Sequence, residues 1–231
     1  MIREVIERLN RELPAAVKLV AVSKFHPFEA IEEAYAAGQR IFAESRPQEL
    51  LAKVKRLETI RAERGEPDYM SDIEWHFIGH LQTNKMKMVL PYVSLVQSVD
   101  SLRLLEAINS WGAANGMVIS VLLEPHVAAE ESKQGFDPSE ILDVLSHAAD
   151  YPHICFKGLM GMATFTDDLS VVEGDFAAIR ALYDECLQSY PSLTADFTEL
   201  SIGMSDDYPV AIRYGSTMVR IGSMIFGSRG N

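Results

Sequence analysis

Short apolar runs alternate with helical patterns along the whole chain, and this alternation limits the fold more than any other feature. Strand-like runs are read at Lys18–Ser23, Arg40–Ala43, Glu74–Ile78, Leu95–Ser98, Val118–Glu124, Ile154–Leu159, Glu199–Ile202 and Met218–Ile221. Helical patterns lie between them near 27–37, 46–63, 83–90, 101–115, 138–149, 169–189 and 206–214. A leading amphipathic helix covers about 1–12, with Ile2, Val5, Ile6 and Leu9 on one face. Strands separated by helices imply a parallel sheet, and right-handed crossovers let eight of them close on themselves. The expected fold is therefore α/β: a single (β/α)8 TIM barrel domain over residues 1–231 with an extra N-terminal helix. An open doubly wound sheet competes, but no GxGxxG turn follows the first strand. The segment from Arg61 to Asp68 reads as a solvated surface connection.

The net charge of −12 argues against a broad nucleic-acid footprint, which needs a basic face. It leaves room for a small basic pocket holding one phosphate. Cys155 and Cys186 form no CxxC pair, so neither zinc nor a disulfide scaffold is expected, and a reduced cytoplasmic location is. The charged N-terminal segment lacks the apolar core of a signal peptide, and no run approaches the length of a membrane span.

Lys24 closes the first apolar run, Val17 to Val22, in the segment Ala21-Val22-Ser23-Lys24-Phe25-His26-Pro27. That places it at the C-terminal edge of a strand, where α/β folds build their sites. A desolvated lysine loses its charge more easily and becomes a nucleophile toward aldehydes. A lysine snorkelling to solvent is the plainer reading of this residue alone. At the far end of the chain, Leu200-Ser201-Ile202-Gly203-Met204-Ser205-Asp206-Asp207 and Gly215-Ser216-Thr217-Met218-Val219-Arg220-Ile221-Gly222-Ser223 bring glycines to the ends of strands seven and eight. Barrels often bind phosphate there, because glycine lets backbone N–H groups approach an anion. Ser201 and Ser223 add hydroxyl donors. In a closed barrel strand eight lies beside strand one, so a lysine next to a phosphate cradle points to a phosphorylated aldehyde.

These segments resemble the pyridoxal phosphate homeostasis proteins, the YggS-type family, over nearly the whole chain. Further matches are His76-Phe77-Ile78-Gly79-His80-Leu81-Gln82-Thr83-Asn84-Lys85, Glu131-Ser132-Lys133-Gln134-Gly135, Gly158-Leu159-Met160 and Ile225-Phe226-Gly227-Ser228-Arg229. The resemblance implies a barrel like the cofactor domain of alanine racemase. It also implies pyridoxal 5′-phosphate held by Lys24 as a Schiff base, with Ser201, Gly222 and Ser223 on the phosphate. Arg220 is implied as the partner of the pyridine nitrogen, where a permanent cation disfavours ring protonation and weakens the ring as an electron sink. Asn84 and Lys85 line the pocket mouth or face solvent, and the resemblance favours the mouth. Met204 packs beneath the ring or in the core, and Met160 and Met162 divide the same way. The chain departs from the family pattern at Ser45, where asparagine is usual, and at Phe25, where threonine is frequent.

His76 and His80 are spaced i, i+4 around a strand end, too far apart in an extended chain to share a metal, and a packed His76 with an exposed His80 is expected. Asp206 and Asp207 begin a helix or order the phosphate loop. Lys133 reads as a surface residue or, less simply, as a second anion-binding or transfer lysine.

Two functions fit. The first is a carrier that buffers pyridoxal phosphate and delivers it, for instance to apo-enzymes that use it, without turnover. The second is a racemase-like enzyme, which needs acid-base groups on both faces of the substrate carbon. In the racemase-like enzymes a tyrosine from a second domain and a dimer partner supplies the opposite face. No segment here matches that domain, so the expectation is a monomeric carrier. A barrel enzyme for sugar phosphates would use the same loops but leave Lys24 incidental.

Overall fold

The computed structural model describes residues 1–127 and 134–227. Lys133, with Glu130, Glu131, Ser132, Ser228 and Arg229, lies outside the described residues. Eight parallel strands form a closed barrel: β1 (Lys18–Val22), β2 (Ile41–Glu44), β3 (Glu74–Phe77), β4 (Leu95–Val99), β5 (Ile119–Leu123), β6 (Ile154–Met160), β7 (Glu199–Ser201) and β8 (Met218–Ile221). Closure is made by β1 against β8, with Val20 opposite Arg220 and Ala21 opposite Ile221. The helices are α1 (Ile2–Glu12), α2 (Phe28–Ala36), α3 (Pro47–Arg64), α4 (Leu102–Asn115), α5 (Pro138–Ser146), α6 (Leu169–Ser189), α7 (Tyr208–Arg213) and the single turn α8 (Ser223–Phe226).

Side chains alternate across each strand, so one set faces the helices and the other fills the barrel. Leu19, Ala21, Phe42, Phe77, Val121 and Val219 join the large cluster between strands and helices. Val20, Val22, Ala43, Leu95, Leu122, Met160 and Met218 form a smaller cluster inside. Several elements differ from the sequence expectation, three of them near the site or its supports. The connection between β3 and β4 is a 3-10 helix, Thr83–Met88, which ends just before Pro91. β2 extends one residue further, to Glu44, whose buried carboxylate is held by Lys53. α3 runs through Arg64 and is stopped by Gly65 in the left-handed region (φ 68°), so the surface connection begins later than expected. Among the described residues no helix is long and apolar enough to cross a membrane.

Candidate functional site

The chain leaves β1 through a tight turn in which the His26 N–H donates to the Ser23 carbonyl (3.1 Å). Phe25 sits in this turn at φ 68°, a conformation that costs a non-glycine residue about 1–2 kcal/mol. Glu49 of α3 and Arg46, the residue just before that helix, hold it there. The Phe25 N–H donates to Glu49 Oε1 (2.6 Å), and the Arg46 guanidinium lies 4.5 Å over the Phe25 ring. On the other side of Lys24, Lys53 Nζ donates to the Ser23 carbonyl (2.8 Å), to Glu49 Oε1 (2.8 Å) and to Glu44 Oε1 (2.7 Å). The Ser23 hydroxyl also donates to Glu44 Oε1 (2.6 Å). Burial raises the Glu44 pKa, opposed by the adjacent Lys53 ammonium. Lys24 is thus bracketed by two anchored residues. The signal for this support was the Glu49–Lys53 spacing of i, i+4 on α3, which the sequence reading passed over.

The opposite wall is made differently. Gly203 adopts φ 96°, and a Cβ there would lie 2.6 Å from the Ala211 Cβ and 3.0 Å from the Tyr208 Cα. Only glycine lets α7 pack this closely on the loop after β7. The Gly203 carbonyl accepts from the Arg220 N–H (3.0 Å), which ties that loop to β8, and Asp207 Oδ1 accepts from the Met204 N–H, which closes it. Asp207 therefore orders the loop and also stands as the N-cap of α7, so both of its sequence readings hold. At the end of β8, a Cβ on Gly222 would meet the Val22 carbonyl oxygen at 3.0 Å, so β1 and β8 approach there only because the residue is glycine. The following turn, α8, leaves its first N–H groups without intrahelical partners. The Ser223 hydroxyl donates to Ser205 Oγ (3.0 Å) across the two loops.

Arg220 points into the barrel and is 4% exposed. Its Nη1 donates to the Ser201 carbonyl (2.7 Å) and to Ser201 Oγ (2.8 Å), and its Nη2 donates to the Gly161 carbonyl (2.9 Å). Burial lowers its pKa to about 10, opposed by the negative charges of Glu124 and Asp207. Glu124, just past β5, is itself pushed up to about 7 by burial, with Arg220 acting against the shift.

A cavity of about 310 Å³ opens between these walls at the C-terminal end of the barrel. Lys24, Arg220, Gly222, Ser223 and Met204 all line it. Met160 and Met162 line it as well, alongside Phe25 and Phe165. Phe165 is 91% exposed, so the mouth is apolar and open. Two sequence-predicted residues are placed elsewhere. Ser201 is fully buried below the cavity floor, where its hydroxyl donates to Gln97 Oε1 (2.7 Å) and accepts from Arg220. As the last residue of β7 it turns inward before the chain reaches Gly203, so it supports Arg220 rather than lining the cavity. Asn84 is exposed on the 3-10 turn, whose Met86 faces the core, and it does not line the cavity. Ser205 and His26 do line it and were missed. Ser205 stands two residues beyond the loop glycine, and His26 two beyond the lysine.

His76 is packed, 3% exposed, and His80 is exposed with Nδ1 2.9 Å from Asp100 Oδ2. No cluster of three His, Cys, Asp or Glu among the described residues is placed to hold a metal.

Comparison with known proteins places this geometry. The alanine racemase N-terminal domain family matches residues 1–230. A pyridoxal phosphate homeostasis protein of Pasteurella multocida is 39% identical over 215 residues, covering 93% of this chain and 88% of the relative. The Homo sapiens protein of the same name is 39% identical over 239 residues, covering 99% of this chain and 82% of its own. The chain belongs to the pyridoxal phosphate homeostasis protein family. The solved structure of PipY from Synechococcus elongatus PCC7942 with PLP bound superposes with a TM-score of 0.86 at 35% identity, covering 98% of this chain and 100% of PipY. Alanine racemase from Corynebacterium glutamicum shares the fold at 16% identity and a TM-score of 0.70, with this chain matching 60% of its length. Ser45 does not line the cavity, and its carbonyl lies 2.0 Å from where a Cβ on Gly79 would be. Its peptide therefore packs directly on the end of β3.

Proposed function

We propose that this chain binds pyridoxal 5′-phosphate in the upper cavity and holds it for intracellular supply, as a carrier without turnover. The observation that carries this is convergence. Lys24, Arg220 and the Gly222–Ser223 turn come from opposite ends of the sequence to one cavity of about 310 Å³. The Lys24 amine condenses with the cofactor aldehyde as a Schiff base, releasing one water. When bound, the cofactor would supply an imine carbon that a second amine can take over, with the Lys24 amine as the leaving group. The Gly222–Ser223 turn and Ser205 receive the phosphate, where glycine keeps the backbone open to an anion. Three of the five Arg220 N–H groups are engaged below, which leaves two for the pyridine nitrogen side of the cavity it lines. Met160 and Met204 flank the ring. The cavity is built from this chain's own loops, which supports action as a monomer. Both cysteines are free thiols, which supports a reducing compartment such as the cytoplasm. The recipients are apo-enzymes that use the same cofactor.

The test is direct. Protein mixed with pyridoxal 5′-phosphate develops a visible absorption band, and borohydride fixes the added mass on the peptide containing Lys24. Lys24→Ala loses both. A fixed label on another lysine defeats the assignment, and rapid amino-acid racemisation abolished by Lys24→Ala defeats the carrier reading.

A further inference from the structure

Arg220 stands at the head of a chain of hydrogen bonds that descends through the barrel interior. Its Nη1 donates to Ser201 Oγ (2.8 Å), and the Ser201 hydroxyl donates to Gln97 Oε1 (2.7 Å). Gln97 Nε2 then donates to His76 Nδ1 (2.8 Å) and contacts Met218 Sδ at 3.2 Å. None of the four residues exceeds 4% exposure. Each comes from a different strand, β8, β7, β4 and β3, so the chain crosses the barrel.

The direction of donation is fixed at both ends. Arginine has only donors, so Ser201 Oγ accepts from it and the single hydroxyl proton goes to Gln97. The Gln97 oxygen receives that proton, so its amide nitrogen faces His76 and the weakly accepting Met218 sulfur. At the far end, burial and the nearby Lys18 charge lower the His76 pKa to about 3. The ring is neutral, with Nδ1 accepting and the proton on Nε2. His76 also lines a second cavity of about 290 Å³, at the N-terminal end of the barrel, together with Lys18, Ser120 and Thr198. Buried away from bulk solvent, such a chain polarises along its length.

We propose that Gln97 and His76 are positioning residues for Arg220, acting through Ser201. They turn the lone pairs of the Ser201 hydroxyl, and not its proton, toward the guanidinium, which holds Arg220 in the orientation that meets the bound ring. This rests on the reading of the upper cavity as the pyridoxal phosphate site. A merely structural Gln97 would change the melting temperature and leave the bound cofactor unaltered.

The test is a double-mutant cycle read on bound cofactor. Gln97→Leu and Ser201→Ala are each expected to weaken retention of pyridoxal 5′-phosphate by about fivefold, the equivalent of one hydrogen bond, and to shift the visible absorption band. Adding Gln97→Leu to Ser201→Ala should produce no further change, because the intermediary is already gone. A folded Gln97→Leu protein with unchanged affinity and spectrum overturns the proposal, as do effects that multiply in the double variant. Nitrogen-15 spectra of the cofactor-free wild-type protein give an arm that needs no variant. His76 should appear at neutral pH as the Nε2–H tautomer, and the Nδ1–H tautomer or an imidazolium overturns the relay. If the wild-type protein fails to bind the cofactor, the functional reading falls, and the His76 tautomer still decides whether the relay runs in this direction.

Discussion

On the β1 side of the cavity, Lys24 is bracketed by charge: Lys53 and Glu49 pin the residues before and after it, over a Glu44 carboxylate that is completely buried. On the β7–β8 side the wall is backbone: Gly203 and Gly222 bring loops within contact of α7 and β1, and hydroxyls decorate them. The requirements of the two walls differ. An amine must be held at one point in space, which takes side chains that fix the peptide on either side. A phosphate is received by several N–H groups at once, which takes a main chain free of Cβ atoms. The first wall is therefore exposed to loss of a charge, and the second to gain of a methyl group.

Lys53→Met should produce the largest effect. It leaves Glu44 buried beside Ser23 without its counter-charge, and such a change costs about 3–5 kcal/mol. Urea unfolding measures this directly. Adding Glu44→Gln should recover part of the loss, since the uncompensated charge is then removed. If Lys53→Met unfolds at the wild-type urea concentration, the charged wall does not brace the turn.

Titration distinguishes the walls next. The Glu124 carboxyl, which faces Arg220, has its pKa raised from 4.5 to about 7 by burial. A carboxyl with a raised folded-state pKa binds more protons folded than unfolded. Its contribution is present at low pH and is lost as pH climbs from 4.5 through about 7, by at most about 3 kcal/mol. Stability measured across that window should fall more steeply in the wild type than in Glu124→Gln. Glu44 has a raised pKa too, so its slope has the same sign and persists in Glu124→Gln. A Glu124→Gln protein with the wild-type pH profile would remove Glu124 from this account.

The third effect belongs to the backbone wall. Gly203→Ala meets both a left-handed φ of 96° and a Cβ contact of 2.6 Å, and should cost about 2 kcal/mol while loosening phosphate retention. The Lys24 turn is built by other residues, so borohydride labelling at saturating cofactor should survive. Loss of labelling with unchanged affinity would reverse the assignment of roles.

What could be read from the sequence divides along the same line. Residues at strand ends were legible, because the C-terminal edge of a parallel barrel gathers them wherever they fall in the chain. Lys24, Met204, Arg220, Gly222 and Ser223 line one cavity for that reason. Whether a residue near a strand end faces the cavity or the interior was not legible, since one residue of register reverses it. Ser201 ends β7 facing inward, and Ser205, past the glycine, lines the cavity instead. Pairings between distant segments were hidden as well. Ser201 and Gln97 are 104 positions apart, and nothing in either neighbourhood announces the other. Asn84 faces solvent on the 3-10 turn, the second of its two sequence readings, and the resemblance that favoured the cavity mouth does not decide which way a side chain in that turn points.

The smallest effect is the sharpest test of the proposal that the β7–β8 wall receives a phosphate. Ser223 is exposed and its hydroxyl bonds only with Ser205 Oγ among the described residues. Ser223→Ala removes no buried group and should leave unfolding within about 0.5 kcal/mol of wild type. If the hydroxyls supply donors to the anion, retention of pyridoxal 5′-phosphate should weaken by about 0.5–1.5 kcal/mol, one hydrogen bond. Free inorganic phosphate should then compete less well against the variant's remaining contacts than against the wild type's. If retention and competition are both unchanged, the backbone alone receives the phosphate. Gly222→Ala should then weaken retention where Ser223→Ala does not, because its Cβ would press on the Val22 carbonyl at 3.0 Å and shift the N–H groups that follow.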